Sequence, residues 1–322
     1  MVDLGKAFFL NIDYNMNFMK TTIYKINVDQ NNVFVKRDDL LPFSFGGNKA
    51  RKAQYFLEDI KEKKANYLVT YGSASSNHCR VIANLACSLD IPCLIISPDE
   101  EEQETINRIF MKFFNAEIFV CPVSEVSKTI DDNMQRLSKE GYNPYFIMGG
   151  GHGNLGTRAY VDCFEEILEY EKETDIKFDY IFHASGTGTT QSGLICGKLM
   201  NNSDVHIVGI SIARRCPYGR NVVMNSIIDY LGDKYSLEQY EKSLDFIDDY
   251  VLDGYGCAND EILKIISEQM RINGMPLNKT YTGKAFWGMT EYIKKNNIKH
   301  KNILFINTGG APLFFDDLRN LE

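Results

Sequence analysis

Short apolar segments alternate with amphipathic segments along most of this chain, and this alternation is the strongest constraint on its fold. The apolar segments have the length and composition of strands that are buried on both faces. Strands that alternate with helices predict parallel sheets with helices covering both sides. We therefore expect an α/β protein with two three-layer α/β/α domains and mostly parallel sheets, the smaller domain inserted in the larger.

The predicted elements follow this pattern from residue 21 to residue 306. Strands are predicted at 21–28, 33–36, 67–71, 93–97, 118–121, 145–148, 180–184, 206–212 and 302–306, with a turn at 29–32 between the first two. Helices are predicted at 47–63, 78–88, 101–114, 124–139 (capped by Ser124), 155–171, 191–200, 221–231, 260–273 and 283–294. The polar stretch 233–249 is expected to be a surface segment. No Gly/Ser linker interrupts the 322 residues, so about two intertwined domains are expected.

Charge and cysteine content narrow the possible partners and location. The net charge is −8 without a long basic block, which argues against nucleic acid or an anionic membrane as the main partner. No apolar run reaches the roughly 18 residues of a membrane span, and the N-terminus lacks a signal-peptide pattern. The eight cysteines form no Cys-x-x-Cys pair and lie mostly in apolar segments. They are expected to be reduced core residues in the cytoplasm.

A loop rich in glycine and threonine is the best candidate for binding phosphate. Residues 185–190 read Ser-Gly-Thr-Gly-Thr-Thr between a predicted strand and a predicted helix. Glycines allow close backbone approach, threonines supply hydroxyl donors, and the start of a helix favours an anion. The loop does not have the Gly-x-x-x-x-Gly-Lys-Ser/Thr spacing of a nucleotide P-loop. It predicts a phosphate cradle, with a plain tight turn as the alternative.

Lys49 lies where a loop enters the predicted helix 47–63, beside the apolar Phe43 and Phe45. Burial disfavours a charged amine, and a neutral amine forms a Schiff base with an aldehyde cofactor. Lys52 lies one helical turn further on and could meet an anion. Because surface lysines are common, two solvated lysines are the alternative.

The other loops at strand ends give weaker signals. Residues 75–78 read Ser-Ser-Asn-His and could cap a helix or contact a ligand, and 149–156 is rich in glycine but lacks a dinucleotide spacing. Tyr255 and Tyr281 each lie near a glycine and could act as an acid or base, or simply pack. A Gly-x-Ser-x-Gly elbow and histidines at zinc spacing are both absent from the sequence, so neither a serine hydrolase nor a metal site is expected.

Taken together, these motifs resemble the fold-type-II pyridoxal-phosphate enzymes, the family of the tryptophan synthase β-subunit. Within it, the chain is most similar to the D-cysteine desulfhydrase and 1-aminocyclopropane-1-carboxylate (ACC) deaminase group. The likeness covers about 35–312 and includes Lys-Arg-Asp-Asp-Leu at 36–40, Gly-Gly-Asn-Lys-x-Arg-Lys at 46–52 and Thr-Gly-Gly-x-Pro at 308–312.

The resemblance carries further implications for organisation and cofactor. It implies a large cofactor-binding domain formed by 1–52 and 158–322, with a small domain at 53–157. It also implies pyridoxal 5′-phosphate as cofactor, a small amino acid as substrate, and a homodimer.

Specific roles follow from the matching positions. The resemblance implies that Lys49 bonds to the cofactor aldehyde and handles the Cα proton. It implies that Ser76 and its loop receive the substrate carboxylate and that Tyr255 and Tyr281 flank the substrate. The remaining matched residues would bind the cofactor: Lys52, Thr187, Gly188, Thr189 and Thr190 at its phosphate, Asn77 at its 3′-oxygen, Thr282 at its pyridine nitrogen, and Thr308 in the same site.

Two of these positions bear on the reaction. ACC deaminases carry Glu after the second tyrosine and Leu before the final Gly-Gly, whereas this chain has Thr282 and Thr308. A threonine at the pyridine nitrogen implies an unprotonated ring and a milder electron sink, which suffices for β-elimination. We therefore hypothesise β-elimination of D-cysteine, or a related D-amino acid, to pyruvate, ammonia and sulfide.

Alternatives remain open at this point. They are ACC deamination, β-replacement in a specialised pathway, or a non-catalytic phosphometabolite-binding protein. The chain departs from the family pattern at 72–77, 150–156, 213–217 and 278–280, all near the expected substrate side. Arg214 or Arg215 could bind a second carboxylate, or be a solvated pair, and His152 has no assigned role.

Overall fold

Two sheets, each flanked by helices, form the core of the computed structural model, which describes residues 20–26, 31–99 and 104–318. The strands are β1 (Ile23–Ile26), β2 (Asn32–Arg37), β3 (Tyr67–Tyr71), β4 (Cys93–Pro98), β5 (Glu117–Cys121), β6 (Pro144–Ile147), β7 (Tyr180–Ser185), β8 (His206–Ser211), β9 (Asp245–Ile247) and β10 (Asn302–Asn307).

The helices alternate with these strands along the chain. They are α1 (Gly47–Glu62), α2 (Asn77–Ser88), α3 (Ile106–Phe113), α4 (Val126–Lys139), α5 (Asn154–Thr174), α6 (Thr189–Met200), α7 (Tyr218–Leu231), α8 (Leu237–Lys242), α9 (Asp260–Asn273), α10 (Thr282–Lys295) and α11 (Ala311–Asp317). No helix in the described part of the chain combines the length and the apolar character needed to cross a bilayer.

The larger sheet has the strand order β1-β2-β10-β7-β8-β9, and only the β1–β2 pair is antiparallel. The smaller sheet has the order β5-β4-β3-β6 and is parallel throughout. Parallel strands are buried on both faces because their crossover helices cover the sheet. The predicted α/β fold class is therefore confirmed.

All four strands of the smaller sheet come from one stretch of chain, β3 to β6, whereas the larger sheet takes strands from both sides of it. This order agrees with a small domain inserted in a large one. The proposed boundaries, with 53–157 between 1–52 and 158–322, stay a prediction.

Helices cover both faces of each sheet. On the larger sheet, α5, α6 and α7 pack on one face and α9 and α10 on the other. On the smaller sheet, α1, α2 and α3 share one hydrophobic cluster, and α4 covers the opposite face. The eight cysteines are free, and five of them are buried in these layers. Cys87 and Cys257 are only partly buried and Cys216 is exposed, so the prediction of core residues holds for five of the eight.

Four predictions of local structure need correction or extension. The stretch 233–249 is not only surface, since it contains α8 and the edge strand β9, with Tyr240 and Phe246 buried. Its apolar residues stand singly, or as the pair Phe246–Ile247, between polar and charged ones, which hid them in the sequence. Ser124 does not cap α4, because it lies in a 3-10 turn and the helix begins two residues later.

The third helix also begins later than expected. Thr105 caps α3 by accepting a hydrogen bond from the Arg108 backbone N–H at 3.2 Å. The beginning predicted for this helix at 101–103 lies outside the described residues, as do 27–28 of the first strand and 29–30 of the turn. Helix α11 was not predicted at all, although Pro312 in its first turn is a common helix start.

Candidate active site

A cavity of about 610 Å³ lies where the carboxyl ends of strands from both sheets meet. All four loops that the sequence singled out, 72–77, 149–156, 185–190 and 308–312, contribute to its wall. This is where a ligand binds in an open parallel sheet. No aspartate or glutamate is present among the described residues that line it. The cavity therefore favours anionic ligands.

Lys49 lies in the first turn of α1 and faces this cavity. The helix start is pressed against the loop after β10, where the Asn48 backbone N–H donates to the Thr308 carbonyl at 2.9 Å. The Lys49 Nζ donates to the carbonyl oxygen of Gly150 at 3.0 Å. Burial lowers the pKa of Lys49 to about 8. A much larger fraction of this amine is neutral near pH 7 than for an ordinary lysine.

Lys52 is fully buried directly behind the cavity wall, and its Nζ has no hydrogen-bond partner among the residues that the structure describes. Gly151 lies over it, since a Cβ at that glycine would come 3.3 Å from the Lys52 Cδ. Burial and the nearby charge of Lys49 lower the pKa of Lys52 strongly. An unpartnered buried cation is unfavourable, so this position fits an anion that is held against the wall.

The loop before α6 forms the predicted cradle. Gly188 precedes the helix with a φ of 92°, in the left-handed region that favours glycine. Thr187, Gly188 and Thr190 line the cavity. Thr189 does not line it, and its hydroxyl contacts the His152 Nδ1 at 3.1 Å. Thr190 Oγ1 accepts from the Asn48 side chain at 3.3 Å, which links the cradle to α1.

Ser76 and Asn77 mark the start of α2 on the opposite wall. Ser76 is the N-cap, and its Oγ accepts from the Cys79 backbone N–H at 3.2 Å. The Asn77 Oδ1 accepts from the Asn107 side chain at 3.0 Å. This contact fixes the orientation of the amide, so its NH₂ group is the part that is free to donate to a ligand.

The two predicted tyrosines meet at the edge of the cavity. The hydroxyls of Tyr255 and Tyr281 are hydrogen-bonded to each other, and their rings pack edge to face with centroids 5.8 Å apart. Both line the cavity, and Tyr255 is exposed. A hydroxyl pair of this kind can pass a proton to a group bound beside it.

Thr282 lies behind Tyr281 at the first position of α10 and does not line the cavity. Its Oγ1 accepts two hydrogen bonds from Asn278, one from the backbone N–H and one from the side-chain Nδ2, both at 3.1 Å. Since both are donated to Thr282, the hydroxyl hydrogen is left to bond an acceptor. Thr308, also predicted, is buried and lines the cavity.

Three contributors were missed from the sequence. Asn48 bonds the cradle, and Asn278 orients the Thr282 hydroxyl. The buried Lys284 ammonium donates to the carbonyls of Gly254 at 2.7 Å, Val251 at 3.0 Å and Ile212 at 3.4 Å. A signal for Lys284 existed, because it lies in the same Tyr-Thr-Gly-Lys run as Tyr281.

Pyridoxal phosphate is a good chemical match for these donors. An unpartnered cation and a loop of hydroxyls suit its phosphate, a neutral lysine suits its aldehyde, an amide NH₂ suits its 3′-oxygen, and a hydroxyl hydrogen suits an unprotonated ring nitrogen. Fold and site thus define an enzyme that uses this cofactor.

The chain belongs to the family described as pyridoxal-phosphate dependent enzymes, whose model matches residues 20–309. The resemblance inferred from the motifs and the expected cofactor are therefore confirmed. Because this is an enzyme family, a non-catalytic phosphometabolite-binding protein is no longer supported.

Particular relatives support a narrower placement. The chain is 31% identical over 303 residues to a D-cysteine desulfhydrase of Serratia proteamaculans (strain 568), with 88% of each covered. It is 31% identical over 291 residues to a D-cysteine desulfhydrase of Yersinia enterocolitica, again with 88% of each covered. A crystal structure of an ACC deaminase homologue superposes with a TM-score of 0.83 at 30% identity, over 94% of this chain and 93% of that one.

Proposed function

We propose that this enzyme catalyses β-elimination from D-cysteine, in which D-cysteine and water give pyruvate, ammonia and hydrogen sulfide. The observation that carries the proposal is a lysine whose pKa is about 8. It faces a cavity that contains a phosphate cradle and has no acid among its described lining residues. The identity to two proteins named D-cysteine desulfhydrase supports the choice of substrate.

The cofactor, when bound, supplies an electrophilic aldehyde and an electron sink. Lys52 and the loop Thr187–Thr190 would hold its phosphate and the Asn77 amide its 3′-oxygen. The hydroxyl of Thr282, which is buried behind the lining residues, would face its ring nitrogen. Thr308 closes the wall beside them. The two Asn278 donors prevent Thr282 Oγ1 from accepting a further proton-bearing group, which favours an unprotonated ring.

The protein's own groups supply the remaining chemistry. The neutral Lys49 amine takes the proton from the substrate Cα, because its pKa lies close to the working pH. Ser76 and the N-terminus of α2 receive the substrate carboxylate, since the first backbone N–H groups of a helix attract anions. The Tyr255–Tyr281 pair donates a proton to the leaving sulfur.

A second candidate, ACC deamination, is favoured by the structural likeness to an ACC deaminase homologue. Against it stand Thr282 and Thr308 at the two positions where the group's deaminases differ. β-Replacement on another amino acid is the third candidate, because it uses the same first half of the reaction in the same site.

The decisive experiment assays pyruvate and sulfide from D-cysteine, with L-cysteine, D-serine and ACC in parallel. We expect product from D-cysteine and none, or far less, from ACC. Lys49→Ala is expected to lose about 10³-fold in kcat/KM, whereas the exposed Lys61→Ala on the same helix is the control. Absence of product from D-cysteine, or an active Lys49→Ala variant, would refute the proposal.

We also propose that the enzyme is a cytoplasmic homodimer that acts on small amino acids rather than on nucleic acid or membranes. The resemblance supports the dimer. The net charge of −8 argues against nucleic acid and anionic membranes as partners, and the eight free thiols support a cytoplasmic location. Sedimentation equilibrium should give twice the chain mass of 36.8 kDa. A mass of one chain at micromolar concentration would contradict the dimer.

A further inference from the structure

Arg214 is a cation in the cavity wall. The proposed function gives it no ligand, because other residues bind the cofactor and the α-carboxylate of the substrate. Arg214 follows β8 and lines the cavity, and its Nη1 is buried without a hydrogen-bond partner. No carboxylate pairs with it among the residues that the structure describes. The neighbouring Arg215 differs, because it is exposed and its Nη2 donates to the Leu252 carbonyl at 2.7 Å.

The surroundings of Arg214 hold its guanidinium in place and leave its N–H groups free. The group lies over the ring of Tyr218, 5.4 Å from the centroid, and the Arg214 carbonyl accepts from Ser211 Oγ at 2.5 Å. A ring face contacts the plane of a guanidinium, whereas the five N–H donors of the guanidinium point outward along its edges. A planar fork of this kind suits carboxylate and similar oxyanions.

Arg214 is less buried than Lys52 but is not remote from the phosphate cradle, since burial and then the charges of Lys52 and Arg214 lower the pKa of His152, whose Nδ1 contacts Thr189. Lys52, the cation of the cradle, is fully buried behind Gly151. Arg214 instead stacks on Tyr218, which is 64% exposed. The next residue, Arg215, donates a hydrogen bond to the loop that carries Tyr255, so the turn after β8 lies beside that loop.

We propose that Arg214 forms a subsite for a second anionic group, carried by the side chain of the amino-acid substrate. The proposal rests on the proposed function, since it takes the cavity to hold an amino acid whose α-carboxylate is bound by the loop of Ser76. The substrate class is α-amino acids whose β-substituent is an anion or leaves as one. The thiolate of cysteine belongs to this class, and so do larger β-substituents that end in an oxyanion.

The test is equilibrium binding to the holoenzyme, followed by the change in visible absorbance of the bound cofactor. Aspartate and asparagine of both configurations are the probes, because they are nearly isosteric and differ in charge. Wild type should bind one enantiomer of aspartate about tenfold or more tightly than the matching asparagine, the effect of a charge-assisted hydrogen bond. Arg214→Gln should remove that preference, and Arg215→Gln should keep it.

Other results would overturn the subsite. One is that wild type binds aspartate and asparagine with equal affinity. Another is that none of the four probes changes the absorbance. A third is that Arg214→Gln and Arg215→Gln lose the preference for aspartate equally. Loss of the cofactor's absorbance from purified Arg214→Gln would also overturn it, because Arg214 would then serve the phosphate.

Pyruvate from D-cysteine, measured on the same wild-type preparation, separates this proposal from the proposed function. No pyruvate together with a preference for aspartate would refute the desulfhydrase reaction and leave the subsite standing. Pyruvate without a preference for aspartate would refute the subsite and leave the desulfhydrase reaction standing.

Discussion

At the scale of single residues, the ionisation of Lys49 decides when the site is reactive. Burial lowers the pKa of its amine from 10.5 to about 8, so the charged form dominates below that pH and the neutral form above it. Only the neutral amine attacks an aldehyde. The rate at which cofactor-free enzyme takes up pyridoxal phosphate should therefore rise with pH and level off above a midpoint near 8. A rate that keeps climbing to pH 10 would contradict the assignment.

A second residue-scale prediction concerns Asp38, which lies outside the cavity but under α1. Its carboxylate accepts from the Arg51 Nε at 3.0 Å, the Arg51 Nη2 at 2.8 Å and the Tyr160 hydroxyl at 2.8 Å. Burial raises its pKa, but the charges of Arg51 and Lys36 outweigh this and lower the pKa to about 2. Asp38→Asn leaves the buried Arg51 and Lys36 paired with Glu166 alone among the described carboxylates. It should therefore cost about 3 kcal/mol of unfolding free energy, the low end of the range for breaking a buried pair.

Denaturant unfolding measures this cost, and the exposed Asp131→Asn is the control. The pH dependence has a defined sign. A carboxyl with a depressed pKa stabilises the fold above its ordinary value of 3.8, and that contribution is lost as the pH falls from there toward 2. An Asp38→Asn variant as stable as the control would show that the charge of Asp38 contributes nothing to stability.

The residues that could be predicted from the sequence are those whose role depends on local context. Lys49 follows two glycines at a helix start, and Thr187–Thr190 join a strand to a helix, so their neighbours in sequence are also their neighbours in space. Arg214 was only one of two open candidates, because nothing in Arg-Arg tells which side chain faces inward. The two hydrogen bonds from Asn278 to Thr282 depend on a turn whose shape the sequence does not specify.

At the scale of elements, Lys284 connects its own helix, α10, to the end of β8 and to the loop before Tyr255. Its ammonium donates to carbonyls at the end of β8 and at two positions in the loop before Tyr255. Removing it leaves buried carbonyl oxygens unsatisfied, at about 1–3 kcal/mol each. Lys284→Met should therefore lower kcat for D-cysteine about tenfold or more while the cofactor's absorbance is retained.

The exposed Lys294→Met on the same helix is the matched control. Lys284→Arg keeps the charge and should recover part of the lost kcat. If Lys284→Met loses stability but keeps its kcat, the lysine is structural only and does not position Tyr255.

Strands and helices were predicted well where the apolar pattern covered many residues and poorly where it covered only a few. Strands such as β3, β7 and β10 are continuous apolar runs between two neighbours, so their burial is visible in the sequence. In contrast, β9 has three residues at the edge of the sheet, and only its pairing with β8 makes it a strand. A pairing with a distant segment leaves no local signal.

At the scale of the whole molecule, the site exists because α1 begins against the end of β10. Gly47 has a φ of 88°, and a Cβ added to it would lie 2.6 Å from the Thr308 carbonyl oxygen. This close approach brings Lys49 to the same cavity as the cradle that follows β7. The glycine is therefore required both by its conformation and by the contact between the start of α1 and the loop after β10.

Gly47→Ala should destabilise the protein by about 1–3 kcal/mol from backbone strain and add the cost of displacing α1 from the β10 loop. Gly232→Ala is the control, because its φ of 65° carries similar strain but an added Cβ meets nothing within 4 Å. Only Gly47→Ala should also weaken pyridoxal-phosphate binding, since only it moves α1, and with it Lys49 and Lys52, away from the cradle loop. Unfolding in urea and the dissociation constant for the cofactor separate the two effects. Equal losses in both variants, with cofactor affinity unchanged, would mean that the contact between α1 and the β10 loop does not set the geometry of the site.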